Sequence, residues 1–277
     1  MSTTAASPSH ATTGALDLDG VCIAYDDVGP RDAPVVVCLH AIGHDASDWA
    51  HLAAHLQPRH RVIALDFPAQ GRSGSDREPP NAARYADLTL RLLDALAIPA
   101  ATLIGNSIGG AAALRVAAEA PTRVRALVLA NPGGLDGGVL PRLACRMMAR
   151  FFRAGARGWR LYPPLFARYY RGVLPAAPAA VAQRRIIARA RELAPLLAAA
   201  WRGFAQPDAD LRPRLPSITC PVLFTWATRD RFIRLARNLP AIRRLPHAEL
   251  VRFDCGHAPQ LETPDAFATA VAAFLSS

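Results

Sequence analysis

The chain has 277 residues and a mass of 29.6 kDa, with 51% hydrophobic and 19% charged residues. That is enough apolar material for one large packed domain and excludes wholesale disorder. Gly 18 and Pro 24 follow no period, which excludes a collagen-like chain, and no apolar run approaches the roughly 18 residues of a membrane span.

The net charge of +10 is unevenly placed. All 32 basic residues are arginine. Residues 135–215 hold 15 of them against Asp136, Glu192, Asp208 and Asp210, a net +11, and the remainder of the chain is close to neutral at −1. The five cysteines (Cys22, Cys38, Cys145, Cys220, Cys255) are far apart and include no C-x-x-C pair, so neither a disulfide framework nor a zinc site is expected.

In chain order, MSTTAASPSHATTG lacks the basic and apolar regions of a secretory signal. Residues 1–14 read as a disordered tail, and the cytoplasm is the expected compartment. ALDLDGVCIAYDDVG reads as two strands around an Asp19-Gly20 turn, the strongest short hairpin signal. Strand-like runs follow at VVVCL (35–39), RVIALD (61–66), ATLIGN (101–106), VRALVLA (124–130), PVLFTWA (221–227) and AELVRFD (248–254). Most are continuously apolar, as strands buried on both faces of a parallel sheet require. Helical stretches lie between them near 46–57, 81–97, 108–120, 232–244 and 265–275. The alternation predicts an α/β fold whose mostly parallel, eight-stranded sheet is flanked by helices.

Residues 135–215 interrupt this rhythm with helices alone, which divides the chain into a core of 15–134 and 216–277 around an inserted helical cap. In its first helix, Arg142, Arg146, Arg150 and Arg153 recur at helical spacing on one face, and Leu140, Leu143, Ala144, Met147, Met148, Phe151 and Phe152 are read on the opposite face. The apolar residues are expected to face inward and the arginines to face solvent. A second helix is expected to place Ile186, Ala190, Leu193, Leu197 and Trp201 on one stripe.

Gly105-Asn106-Ser107-Ile108-Gly109 matches G-x-S-x-G and sits where that pattern has meaning, directly after a strand and at the start of a helix. Its glycines permit a sharp turn that presents the Ser107 hydroxyl above the sheet. Serine needs a base, and the base an orienting carboxylate. His257 follows the last strand and Asp230 the one before it, so both fall on the sheet edge that bears Ser107. Asp208, Asp210 and Asp254 remain alternative carboxylates. Acyl transfer also needs donors for an oxyanion; the backbone N–H groups of Ile42, in the turn after strand 35–39, and of Ile108, at a helix N-terminus, are the candidates. His40, His44, His51 and His55 form no H-E-x-x-H pattern, so no metal is expected. No phosphate-loop pattern occurs, and no cofactor is expected.

Taken together, Leu39-His40-Ala41-Ile42-Gly43, Asp66-Phe67-Pro68-Ala69-Gln70-Gly71-Arg72-Ser73, GNSIGG, and CGHAPQLETP resemble, in order, the motifs of the α/β-hydrolase fold over residues 15–277. The order Ser107, Asp230, His257 is that family's order. The resemblance implies a catalytic triad of these three residues and a cap that roofs the pocket. Ala41 and Ala69 stand where the family usually has Gly, and Arg234 where Pro often follows the acid.

GNSIGG, the Asn131-Pro132-Gly133-Gly134-Leu135 turn and CGHAPQLE are partly similar to the meta-cleavage-product C–C hydrolases, with Ala258 in place of a Trp. Asn106, Ala41 and Ala258 are therefore candidate substrate contacts. The expected activity is hydrolysis of a small or medium carboxylic ester through an acyl-enzyme. The alternatives are C–C bond hydrolysis and, in a different class, a non-catalytic binding protein of the same fold. The expected partner is a small-molecule substrate, with no nucleic acid, and the chain is expected to be a monomer or homodimer. The arginine face of the cap reads as a solvated helix surface, with an anionic membrane as the sharper alternative.

Overall fold

The computed structural model describes residues 12–277. Strands β1 (Thr12–Leu18) and β2 (Val21–Val28) form the antiparallel entry hairpin. Asp19 and Gly20, at φ 59° and 76°, supply the two left-handed residues of its tight turn. The expected tail lies outside the described residues up to position 11, but Thr12–Gly14, expected within it, already pair with Tyr25–Asp27 in β1.

Strands β3 (Val35–Leu39), β4 (Arg61–Leu65), β5 (Ala101–Asn106), β6 (Val124–Ala130), β7 (Val222–Ala227) and β8 (Ala248–Phe253) complete a sheet ordered β1-β2-β4-β3-β5-β6-β7-β8. All pairs from β4 through β8 are parallel. Period-two alternation explains why the strands read as unbroken apolar runs. Val37 and Leu39 enter one core while Val36 and Cys38 enter the other, so the central strands carry apolar residues on both faces, whereas β1 and β8 at the sheet edges keep exposed positions.

Helix α1 (Ala50–Leu56) lies against the second core, whereas α2 (Ala82–Ala95) and α3 (Ile108–Glu119) cover the first. The helix expected over 46–57 begins instead as a 3₁₀ turn at Ala46–Trp49, because the Asp45 carboxylate accepts from the Ser47 amide and starts the turn there.

Four helices separate β6 from β7: α4 (Val139–Ala156), α5 (Tyr162–Val173), α6 (Ala180–Ala188) and α7 (Ala190–Phe204). The stripe expected on one helix is split between α6 and α7, yet Ile186, Ala190, Leu193 and Leu197 are all buried. The face expected for α4 is not the one observed. Leu140, Leu143 and Met147 are exposed, and Arg142 turns half-buried toward a cavity. The apolar residues of α4 surround more of the helix than one neighbour can cover, and α7 takes the side bearing Ala149 and Phe152.

The chain closes with α8 (Leu235–Ile242), α9 (Pro259–Glu262) and α10 (Pro264–Ser276). The helix expected from residue 232 starts only at Leu235, because the Phe232 and Ile233 amides donate to the Asp230 carboxylate. Among the described residues no helix is long and apolar enough to cross a membrane.

Candidate active site

Strand order reverses between β3 and β5, and the crevice at such a switch point is where open α/β sheets bind ligands. Every loop of the site leaves a carboxyl end of the sheet here. Ser107 follows β5 with φ 57° and ψ −115°, a strained conformation for a residue bearing a Cβ. Three backbone hydrogen bonds hold it: Ser107 N donates to Ala130 O, and Ser107 O accepts from Ala111 N and Gly133 N, each at 3.0 Å.

The flanking glycines are required by contact. A Cβ on Gly105 would stand 2.5 Å from the Gly109 backbone, and one on Gly109 would stand 2.2 Å from Leu39 O.

Asp230 follows β7 and meets His257, which follows β8. The Asp230 Oδ2 to His257 Nδ1 distance is 2.6 Å. Oδ2 also accepts from Asn131 Nδ2 at 2.8 Å, and Oδ1 accepts from the Phe232 and Ile233 amides at 2.8 and 3.0 Å. Burial alone would raise this carboxyl; the charge and hydrogen bond of His257 and the two amides hold it below its ordinary value. The other candidate acids are engaged elsewhere: Asp208 with Arg115 and Arg214, Asp210 with Arg212, and Asp254 with Arg229.

Burial pushes the His257 imidazole down, but the Asp230 carboxylate more than reverses this, and its pKa lies above the ordinary 6.5. Since Nδ1–H is held by Asp230, Nε2 is the atom left to exchange protons, and it can accept only when the ring is neutral. Activity that depends on it should therefore rise with pH through a midpoint above 6.5. A kcat/KM–pH profile checks this. Asp230→Asn should move the limb to lower pH, because burial then acts without the carboxylate.

Three further residues, Val173, Glu262 and Asn106, fix the histidine loop. His257 N donates to Val173 O at the end of α5. Glu262 accepts from Gly256 N and Ala258 N at 3.0 and 3.1 Å, and from Ala176 N at 3.3 Å. Asn106 Nδ2 donates to Ala130 O and His257 O, and its Oδ1 accepts from Gln260 Nε2. His257 is thus tied to both the core and the helical insertion.

Ser107, His257, Ala41 and Ile42 line one cavity of about 880 Å³. Asn106 and Ala258, expected as substrate contacts, do not line it. Both are fully buried, and the Asn106 amide is spent on the hydrogen bonds just described. The turn bearing Ile42 is locked from behind: His40 Nε2 accepts from Phe67 N at 2.9 Å, and Gly43 N donates to Gln70 Oε1 at 2.6 Å. Among the described residues neither the Ile42 nor the Ile108 amide has a backbone or side-chain acceptor, so both remain available to a ligand.

Two parts of the site escape sequence reasoning. Asn131, in the turn after β6, grips both Asp230 and Ala227 N; its only signal is an amide residue at the carboxyl end of a parallel strand. The second is a chain from core to insertion. The Asp48 carboxylate meets His44 Nδ1, Nε2 of the same ring is hydrogen-bonded with the Tyr170 hydroxyl at 2.7 Å, and Arg185 pairs with Asp48 at 2.8 Å. His44 and Tyr170 both line the cavity, and nothing local in sequence joins them.

Residues 36–270 match the alpha/beta hydrolase family. The chain belongs to that family. Among relatives of this hydrolase, an Escherichia coli (strain K12 / DH10B) protein named 2-hydroxy-6-oxononadienedioate/2-hydroxy-6-oxononatrienedioate hydrolase is 30% identical, over 92% of this chain and 91% of that one. A Pseudomonas sp. protein of the same name is 28% identical over 92% of each. The crystal structure of a hydrolase from Pseudomonas aeruginosa superposes with a TM-score of 0.81 at 26% identity, covering 96% of this chain and 98% of that one. This hydrolase is therefore an enzyme of the α/β-hydrolase fold.

Proposed function

We propose that the protein is a serine hydrolase that cleaves a carboxylic ester or related acyl substrate through an acyl-enzyme. The observation that carries this reading is the Asp230–His257 pair at 2.6 Å, opening on the cavity that Ser107 enters from its strained turn. In this reading Ser107 Oγ attacks the carbonyl carbon and passes its proton to His257 Nε2. The Ile42 and Ile108 amides hold the oxyanion, His257 returns the proton to the leaving alkoxide, and water repeats the sequence on the acyl-enzyme. Asp230 keeps Nδ1 protonated and stabilises the imidazolium.

An ester is favoured over other acyl groups because the cavity wall is largely apolar: Ala41 and Ile42 from the oxyanion turn, with Val173, Leu197, Phe232 and Ile233 around it. C–C hydrolysis of a 2-hydroxy-6-oxo-dienedioate is the second reading. The names of the relatives support it, as do three cavity arginines, Arg142, Arg202 and Arg237, that have no carboxylate ion-pair partner among the described residues and could hold a dianion.

A chain-length series of p-nitrophenyl esters, assayed beside 2-hydroxy-6-oxononadienedioate, separates the two. Buried methylenes should each contribute about 0.8 kcal/mol to transition-state binding until the cavity is full. A dienedioate kcat/KM more than about a hundredfold above the best ester, roughly 2.7 kcal/mol, would assign the second reaction instead.

A further inference from the structure

The outer face of α4 carries a surface that the active site does not use. Val139, Leu140, Leu143 and Met147 are 82%, 74%, 50% and 62% exposed, and their spacing places them on one side of the helix. Four large apolar side chains left to water within two to three turns mark an interaction surface. Met147 also lines the cavity that holds Ser107 and His257, so the patch reaches the rim of the active site.

Toward its carboxyl end the same face continues as Arg146, Arg150, Arg153 and Arg157, all exposed. None of the four has a carboxylate ion-pair partner among the described residues, whereas Arg185, Arg189, Arg212 and Arg214 of the same insertion are paired. Arg150, Arg153 and Arg157 line a shallow groove together with Trp159, which is 41% exposed.

We infer that this face docks the protein on an anionic lipid surface. Leu140 and Leu143 enter the acyl boundary, and the arginine groove holds lipid phosphates. A bilayer surface complements both halves of α4 at once, with hydrocarbon for the apolar turns, phosphate for the guanidiniums and an interfacial position for Trp159. A second copy does not: two-fold pairing of this face with itself brings both arginine rows into one interface without a counter-charge. Docking would present the cavity rim to the membrane, a consequence that holds whether the scissile bond is C–O or C–C.

The test is sedimentation of the full chain with vesicles of phosphatidylcholine alone and of phosphatidylcholine mixed with phosphatidylglycerol, at low and high salt. Binding to the mixed vesicles should be at least about tenfold tighter, and should weaken as salt screens the arginines. Arg150→Gln/Arg153→Gln/Arg157→Gln should lower it on the order of a hundredfold, since each arginine near such a surface contributes roughly a factor of five, and should leave turnover of a soluble ester unchanged. Leu140→Ser/Leu143→Ser, at exposed positions, should weaken the binding that persists at high salt. Equal binding to both vesicles, or a triple variant that binds like the parent, would overturn the proposal. So would a dimer in solution that dissociates on Leu140→Ser/Leu143→Ser, which would assign the face to a second copy.

Discussion

Ser107→Ala and His257→Ala should each lower turnover of a short p-nitrophenyl ester by on the order of 10⁴-fold or more, with an unchanged circular dichroism spectrum. The two groups act as a unit, so losing either removes nearly all the benefit of both. Neither change should unfold the protein. Ser107 contributes to its surroundings through its backbone N–H and C=O, which alanine keeps, and the loop of His257 is fixed by Val173 O, Glu262 and Asn106 rather than by the imidazole. Asp230→Asn should be nearly as damaging, since Asp208, Asp210 and Asp254 are engaged elsewhere. The Phe232 and Ile233 amides draw the carboxamide oxygen to themselves. The NH2 left beside His257 Nδ1 favours the tautomer that carries its proton on Nε2, which cannot accept from serine. Wild-type turnover in Ser107→Ala, with the fold intact, would remove the nucleophile from this account.

Gly109→Ala should cost about 3 kcal/mol or more in stability and abolish activity as well. The added Cβ would stand 2.2 Å from Leu39 O, 2.6 Å from Leu39 C and 2.7 Å from His40 O. All three are backbone atoms that no rotamer change can move aside, so overpacking acts here at its most severe. To relieve it, α3 must separate from the turn after β3, and these two segments carry the Ile108 and Ile42 amides. Gly172→Ala is the control. Nothing lies within 4 Å of its Cβ position, and an exposed helical glycine replaced by alanine should gain about 0.5–1 kcal/mol. Urea unfolding of both variants measures the contrast; equal stabilities would mean that the strand–helix contact is looser than described.

The core of the fold was legible in the sequence because each strand carries its own signal. VVVCL and ATLI are continuously apolar since both faces of the sheet are covered, and Asp19-Gly20 names its own turn. Ser107, Asp230 and His257 were legible for a related reason. Each lies within four residues of the end of a parallel strand, so a correct strand assignment already places it on the carboxyl edge of the sheet.

What stayed hidden depends on contacts between segments distant in sequence. Asn106 sits beside Ser107 yet faces away from the cavity, because Ala130 O and His257 O claim its amide. Asp230 gains Asn131 across 99 positions, and His44 gains Tyr170 across 126; neither partner carries a local pattern. The orientation of α4 failed differently. Its apolar residues spread around most of the helix, and periodicity alone cannot tell which apolar flank α7 covers and which is left outside.

The most direct test of the account is reaction of the full chain with a fluorophosphonate, followed by peptide mass spectrometry. The reagent reports a serine whose hydroxyl is activated by a base beside oxyanion donors, whatever the natural substrate. One phosphonyl adduct on the peptide containing Ser107, absent from Ser107→Ala and strongly reduced in His257→Ala, is the predicted result. An unlabelled protein, or an adduct at another serine that persists in Ser107→Ala, would contradict it.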